Sequence, residues 1–226
     1  MESPRPPAGA QTLDRGLRAL EMVATARDGL TIQDLSTALG VHRSIASRLL
    51  STLADRRLVI RGGDGRFRTG AGLAALAAGI HTTLRATAAP ILHELVDKVG
   101  ATISLLVAEG GEAVALEVVE PPTLSYVLSF RAGSRHPLGR GSAGVALRAA
   151  RPQSAGEEEA VTTARKRGYA ETFGEVEPGA YGVAVPIVVP GLPAACLNLI
   201  THRGEIAASA GPVLAEAAAR IVRELS

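Results

Sequence analysis

The residues best suited to chemistry in this chain stand between positions 31 and 68. Residues 43–52 carry Arg43, Ser44, Ser47, Arg48, Ser51 and Thr52 between apolar positions, and residues 61–68 add Arg61, Arg66 and Arg68. Arginine forks onto guanine or phosphate oxygens, while serine and threonine reach bases or phosphates without filling a groove, so the set suits double-stranded DNA. A solvated helix face would carry similar residues. The elements that hold them must decide.

Ile32, Leu35 and Leu39 recur at helical spacing, as do Ile45, Leu49 and Leu53, and Gly40 separates the two runs. A glycine there ends the first helix in the left-handed conformation and leaves the short turn of a helix-turn-helix, over residues 31–57. Thr31, with Asp34 three residues on, reads as a capping box. Thr31 and Gln33, at the start of that helix, join the candidate DNA contacts. A preceding helix is predicted from Thr12 to near Asp28, with its stripe on Leu13, Leu17, Leu20 and Ala24.

After Arg57, two short runs flank Gly62-Gly63-Asp64-Gly65, a β-hairpin signal, and a hairpin directly after a reader helix is a wing. Arg61, Arg66 and Arg68 on it would meet phosphates or a minor groove, although exposed charges on a hairpin also discourage edge pairing. Helix, helix, turn, basic reader and basic wing together predict a winged helix-turn-helix over residues 12–70, after a disordered tail over 1–11.

The whole chain has 226 residues, 46% of them hydrophobic, which predicts two domains, each with its own core. Net charge is +2, but residues 1–80 hold 11 Lys+Arg against 7 Asp+Glu, and the remainder 13 against 15. A basic front and a slightly acidic back suit a DNA-binding head on a body that need not touch nucleic acid. One cysteine excludes an internal disulfide framework and a multi-cysteine zinc site, and fits a reducing compartment. Neither a membrane-length apolar run nor a signal-peptide pattern is present, so a cytoplasmic protein with no membrane partner is expected.

No catalytic constellation emerges, and neither an enzyme nor a cofactor is predicted. His42, His81, His93, His136 and His202 show no zinc-binding spacing. Cys196 sits in an apolar strand run and reads as a small buried hydrophobe. Ser142 lacks a nucleophile-elbow context. Glu157, Glu158 and Glu159 read as a solvated helix start.

Residues 71–82 are alanine-rich and read as a linker helix. Leu84, Ala88, Ile91, Leu92, Leu95 and Val99 mark the next helix, interrupted by Pro90. Strand-like runs over 102–109 and 113–120 flank Gly110-Gly111, and a third covers 124–130. A helix over 160–167, a hairpin through Pro190-Gly191 into 194–201 and a last helix over 207–225 complete an α+β body with an antiparallel sheet over 83–226.

The runs LDRGLRALEMVA, GVHRSIASRLLSTLADRRLV and DGRFRTG resemble the DNA-binding head of the IclR-type bacterial transcription regulators. His42 stands where that family usually has serine or proline, a weaker cap for the reader helix. HPLGRGSAGVALRAA, residues 136–150, is similar to the family's Pro-Leu-His-x-x-Ala-x-Gly-Lys-Ala segment, with Gly139 for the histidine and Val145 for the lysine. RGYAETFGEVEPGAYGVAVPIV resembles its Arg-Gly-Tyr…Gly-Glu…Gly…Gly-x-Ala-x-Pro pattern, and the resemblance covers residues 12–225.

The resemblance implies a GAF-like effector-binding body, operator DNA as a partner, a small organic acid as effector, and self-association as a dimer or a dimer of dimers. Carried over residue by residue, the family's pocket falls on Leu138, Ser142, Ala143, Thr172, Gly182, Asn198 and Ile200. Gly182 and Ile200 replace small polar residues, which implies a less polar, roomier pocket suited to an aromatic or partly apolar acid. Backbone N–H groups where residues 138–144 open a helix suit a carboxylate, although glycines there also serve a tight turn. The alternative is a metabolite-binding protein or enzyme with a nucleic-acid anchor.

Overall fold

The computed structural model describes residues 10–122 and 130–226, in two compact units that divide between Ile80 and His81. In the first, α1 (Gln11–Thr25), α2 (Ile32–Leu39) and α3 (Arg43–Asp55) precede a hairpin of β1 (Val59–Arg61) and β2 (Phe67–Thr69). The capping box at α2 forms in both directions: Asp34 N donates to Thr31 Oγ1 at 3.1 Å, and Thr31 N to Asp34 Oδ2 at 2.9 Å. Gly40, at φ 63°, ends the helix left-handed, as its position in the sequence predicts. Leu30 bridges Phe67 through two backbone hydrogen bonds of 3.0 and 2.7 Å, which ties the hairpin to the chain between α1 and α2.

The core of this unit differs from the predicted stripes. It is built from Ala19, Val23, Leu35, Ala46, Leu50, Leu53, Val59 and Phe67, with Leu49 also buried. On α3 the buried set 46, 49, 50 and 53 follows one stripe of a regular helix, whereas the spacing 45, 49, 53 drifts around it, leaving Ile45 38% exposed. On α1 the small residue Ala19 faces inward, and Leu13 and Leu17 are 62% and 52% exposed. The alanine-rich stretch is helical only over α4 (Gly72–Ala77) rather than as one rod through residue 82. The chain then turns, with His81 in the left-handed region at φ 43° before the next helix.

The second unit opens with α5 (Thr82–Val99), which runs unbroken through the exposed Pro90. Next come β3 (Thr102–Glu109), β4 (Glu112–Val119), β5 (Arg135–Pro137), α6 (Gly141–Ala149), α7 (Glu159–Arg167), β6 (Ala170–Phe173), β7 (Tyr181–Ile187), β8 (Ala195–Thr201) and α8 (Gly204–Leu225). The strands form one antiparallel sheet in the order β5-β4-β3-β8-β7-β6. Of the strand expected over 124–130, residues 124–129 lie outside the described residues, and Phe130 is buried but in no strand. The edge strands β5 and β6, three and four residues long, are too short to show an alternating pattern in the sequence.

Period-two alternation divides the sheet between two cores. Ile103, Leu105, Val107, Val183, Val185, Ile187, Leu197 and Leu199 pack against α5 and α8. Leu106, Ala184, Cys196 and Ile200 face the other way, toward α6 and α7. That second face mixes the small Ala113, Ala115, Ala184 and Cys196 with Leu106 and Ile200, and borders the cavity described below.

The acidic run before α7 is not merely solvated. Glu157 accepts two hydrogen bonds from Arg165, at 3.0 and 2.7 Å, and Arg165 Nη1 also donates to Ala149 O at the end of α6, at 2.6 Å. Glu158 pairs with Arg148 in a fork of 2.7 and 2.9 Å. These bonds hold the carboxyls of Glu157 and Glu158 below their ordinary range. They fix the C-terminal end of α6, whose N-terminal end opens on the cavity.

Candidate functional site

In the first unit, the outward face of α3 presents exposed Arg43, Ser44, Arg48 and Thr52 and half-buried Ser47. Arg43 and Arg48 enter no ion pair among the described residues, so both charges remain for an anionic partner. Thr52 Oγ1 donates back to Arg48 O at 2.9 Å. His42 caps the helix after all: Ser44 N donates to its Nδ1 at 3.3 Å, and Ser44 Oγ lies 2.9 Å from the same nitrogen. With Nδ1 accepting, the neutral ring carries its proton on Nε2, a donor at the mouth of the reader helix that the sequence did not single out.

The wing arginines are not equivalent. Arg61 is exposed, its guanidinium 5.8 Å from the centroid of Phe67. Arg66 Nη1 donates to Gly29 O at 3.1 Å and stands 3.7 Å from Asp34, which fastens the wing to the segment before α2. Arg68 forks onto Asp64 at 3.1 and 2.6 Å, closing the wing turn and holding the Asp64 carboxyl far below its ordinary range. Thr31 and Gln33 lie at the start of α2. The threonine hydroxyl serves the capping box, and Gln33 Nε2 donates to Thr37 Oγ1 at 3.4 Å.

In the second unit a cavity opens between the start of α6 and strands β6, β7 and β8. Of the predicted pocket residues, Ser142, Ala143, Thr172, Gly182, Asn198 and Ile200 line it together. Leu138 does not; it packs into the core around α6 instead. Asn198 and Ile200 alternate with core-facing Leu197 and Leu199 on β8, and their register partners Ala184 and Gly182 sit beside them on β7. Ser142 Oγ donates to Asn198 Oδ1 at 2.9 Å, and Ser142 N donates to Thr172 Oγ1 at 2.9 Å.

The pocket is tighter than the sequence implied. Its free volume is about 40 Å³, against the roughly 150 Å³ of a cavity that admits benzene. Gly182 does not widen it, because a Cβ there would meet Ser142 Oγ at 2.5 Å and Thr172 Oγ1 at 3.3 Å. Room is also taken by Glu175, Val176 and Glu177 from the segment between β6 and β7, and by Phe130, His136 and Tyr181. None of these six was among the residues carried over.

Among the described residues the lining contains no lysine or arginine. Gly141 N, the first backbone donor of α6, gives its hydrogen bond to Glu175 Oε2 at 2.7 Å. Gly141 holds φ 72°, a conformation open to glycine at little cost, and this aims its N–H at the carboxylate. Arg140 Nη2 donates to the backbone carbonyl of Glu175. Behind the cavity, Cys196 is fully buried with Sγ 3.9 Å from Ala143 O, and burial pushes its thiol pKa up, so it is an unreactive wall residue. No group of three His, Cys, Asp or Glu side chains that could hold a metal occurs among the described residues.

Residues 12–62 match the family model described as the IclR helix-turn-helix domain, and residues 77–163 match that of the bacterial transcriptional regulator IclR C-terminal domain. The HTH-type transcriptional regulator Rv1719 of Mycobacterium tuberculosis is 30% identical over 145 residues, 64% of this chain and 56% of that protein. The HTH-type transcriptional repressor AllR of Salmonella typhimurium is 30% identical over 142 residues, 62% of this chain and 52% of the relative. The matched segment thus spans about half the length of these curated relatives.

Among solved structures, the Thermotoga maritima IclR aligns with a TM-score of 0.74 at 22% identity, covering 95% of this chain and 98% of that one. An IclR homologue from Microbacterium hydrocarbonoxydans, complexed with 4-hydroxybenzoate, aligns with a TM-score of 0.76 at 25% identity, covering 95% and 98%.

Proposed function

We propose, given that this chain belongs to the IclR family of bacterial transcription regulators, that it is a ligand-responsive DNA-binding regulator. Its winged helix-turn-helix reads an operator, and a small organic acid in the second unit shifts the population of head arrangements that fit that operator. The observation that carries this reading is the pairing, in one chain, of a reader helix whose Arg43 and Arg48 enter no ion pair among the described residues and a partly open cavity edged by the donor end of α6. Regulation follows only if the acid binds the two arrangements with different affinity.

On the DNA side, Arg43, Ser44, Ser47 and Arg48 are the residues assigned to base edges, with Arg61 on phosphate. Thr31, Gln33 and Thr52 border them. Arg66 and Arg68 act chiefly by shaping the wing. Operators are read by paired heads, so a dimer or dimer of dimers is part of the proposal. Exposed Leu13, Leu17, Leu76 and Ile80, all in the first unit, are apolar surface suited to self-association.

On the ligand side, the 4-hydroxybenzoate bound by the Microbacterium homologue supports an acid effector, and the apolar Ile200 and Ala143 walls suit one with a hydrophobic body. The donor end of the Asn198 amide remains for it, since Ser142 occupies Oδ1. An enzyme with a nucleic-acid anchor is the weaker reading, because the cavity's serine hydroxyl, Ser142 Oγ, donates to the Asn198 amide oxygen rather than to a histidine or carboxylate that could activate it. Sequencing the genomic fragments retained by the full chain tests the regulator reading: discrete sites are expected, and equal weak binding to all fragments would refute it.

A further inference from the structure

Among the described residues, the cavity proposed for an acid carries acidic side chains and no fixed positive charge. Its described lining offers Glu175 and Glu177 as ionisable acids and His136 as a basic group. The place where a ligand carboxylate would be held, the N–H groups at the start of α6, is already filled: Gly141 N donates to Glu175 Oε2 at 2.7 Å. A helix N-terminus prefers an anion, and here the protein supplies its own.

The segment that brings this carboxylate is strapped across the mouth rather than woven into the core. Arg140 holds the Glu175 carbonyl, Gly174 N donates to Ala180 O at 2.8 Å, and the Gly179 carbonyl lies 2.9 Å from His202 Nδ1. Glu175 itself is exposed, and Val176 is 40% exposed, so the strap can lift without emptying the core. Beneath it Asn198, only 4% exposed, has one end of its amide engaged by Ser142 and its N–H₂ without an acceptor among the described residues. That N–H₂ is not enclosed by protein, so it faces the open space of the cavity and is available to donate to a ligand.

We propose that Glu175 is an internal surrogate for the effector's carboxylate, and that an acid effector binds by displacing it. The ligand's carboxylate takes the Gly141 N–H, the strap over residues 174–179 moves outward, and the space vacated by Glu175 and Val176 admits the ligand's body. This rests on the acid-effector reading above and adds its regulation: effector affinity is set by competition with a tethered carboxylate. A neutral ligand of the same shape gains nothing from the exchange and does not open the strap. Glu175 is therefore a specificity-determining residue that screens for anions.

Two measurements test this. First, Glu175→Ala leaves the anion position vacant, so acetate should raise the melting temperature of that variant while leaving the wild type unmoved, and acetamide should do neither. Equal stabilisation of both proteins by acetate, or of neither, would overturn the surrogate role.

Second, calorimetry with benzoate, 4-hydroxybenzoate and 4-hydroxybenzamide should show the carboxylates binding Glu175→Gln about ten-fold tighter than the wild type, as expected when a charge-assisted hydrogen bond no longer competes. The amide should bind neither protein differently. Carboxylates bound equally by Glu175→Gln and wild type would again overturn displacement. If acetate distinguishes the variants but no larger carboxylate binds either, the acid-effector reading fails while the Glu175 contact stands.

Discussion

Ser142 Oγ donates to Asn198 Oδ1 across 2.9 Å, joining the first turn of α6 to the middle of β8. The bond crosses 56 positions of sequence and is buried at both ends, Ser142 being 3% and Asn198 4% exposed. Replacing Asn198 by leucine leaves the serine hydroxyl buried without its acceptor. A loss of about 1 to 3 kcal/mol in unfolding free energy is expected from urea denaturation of the second unit. A variant as stable as the wild type would show that the bond contributes nothing net.

Gly182 sets the size of the same cavity. A methyl group there would stand 2.5 Å from Ser142 Oγ, so Gly182→Ala forces that side chain aside. The variant should fold, lose about 1 to 3 kcal/mol of stability, and fail to bind carboxylates in calorimetry. Undiminished binding would place the ligand elsewhere.

The arginines of the head should separate by mechanism. Arg48→Ala should cost about 1 to 3 kcal/mol at a specific operator and relax discrimination at one base position, measured by competition with single-position operator variants. Arg61→Ala should weaken all sequences alike and reduce the salt dependence of binding by about one ion. Arg66→Ala, which removes the bond to Gly29 O, should instead lower the melting temperature of the head. Identical binding profiles for all three variants would refute this division.

Acid should loosen the second unit through Glu157. Its carboxyl lies below the ordinary range because Arg165 donates two hydrogen bonds to it, so the folded state binds that proton less readily than the unfolded chain. The pair therefore contributes stability above the ordinary carboxylate range, and the contribution is lost as pH falls through that range toward the lowered folded value. Urea midpoints taken between pH 7 and 3 should fall less steeply in Arg165→Met than in the wild type. Parallel curves would count against the pair.

The winged head was legible because its signals are local. Gly40 sits directly after a helical stripe, Thr31 and Asp34 have capping-box spacing, and three arginines surround a glycine-rich turn. Which arginines remain available was not legible. Arg66 is committed to Gly29 O, 37 residues away, and only the folded chain brings them together. The inward turn of Ala46 rather than Ile45 depends on which neighbours α3 packs against, and bulk alone misleads there.

In the body, β8 announced itself as an apolar run, but Asn198 and Ile200 were assigned to the pocket through the family resemblance, and the alternation of the folded strand is what sets them on the cavity face. Glu175 carried no such mark. It stands among glycine, proline and acidic residues, and its role arises from a contact with Gly141 across 34 positions. The expected roominess at Gly182 failed for the same reason: the space left by the missing side chain is used by Ser142 and Thr172.

The coupling of cavity to operator is tested most directly by fluorescence anisotropy on an operator recovered from the genomic fragments. Binding is measured with and without the best-bound carboxylate of a panel that includes 4-hydroxybenzoate. The wild-type dissociation constant should change by about five-fold or more, and that of Gly182→Ala should not change. An acid that binds the wild type in calorimetry yet leaves its operator affinity unaltered, or one that shifts both proteins equally, would contradict the account.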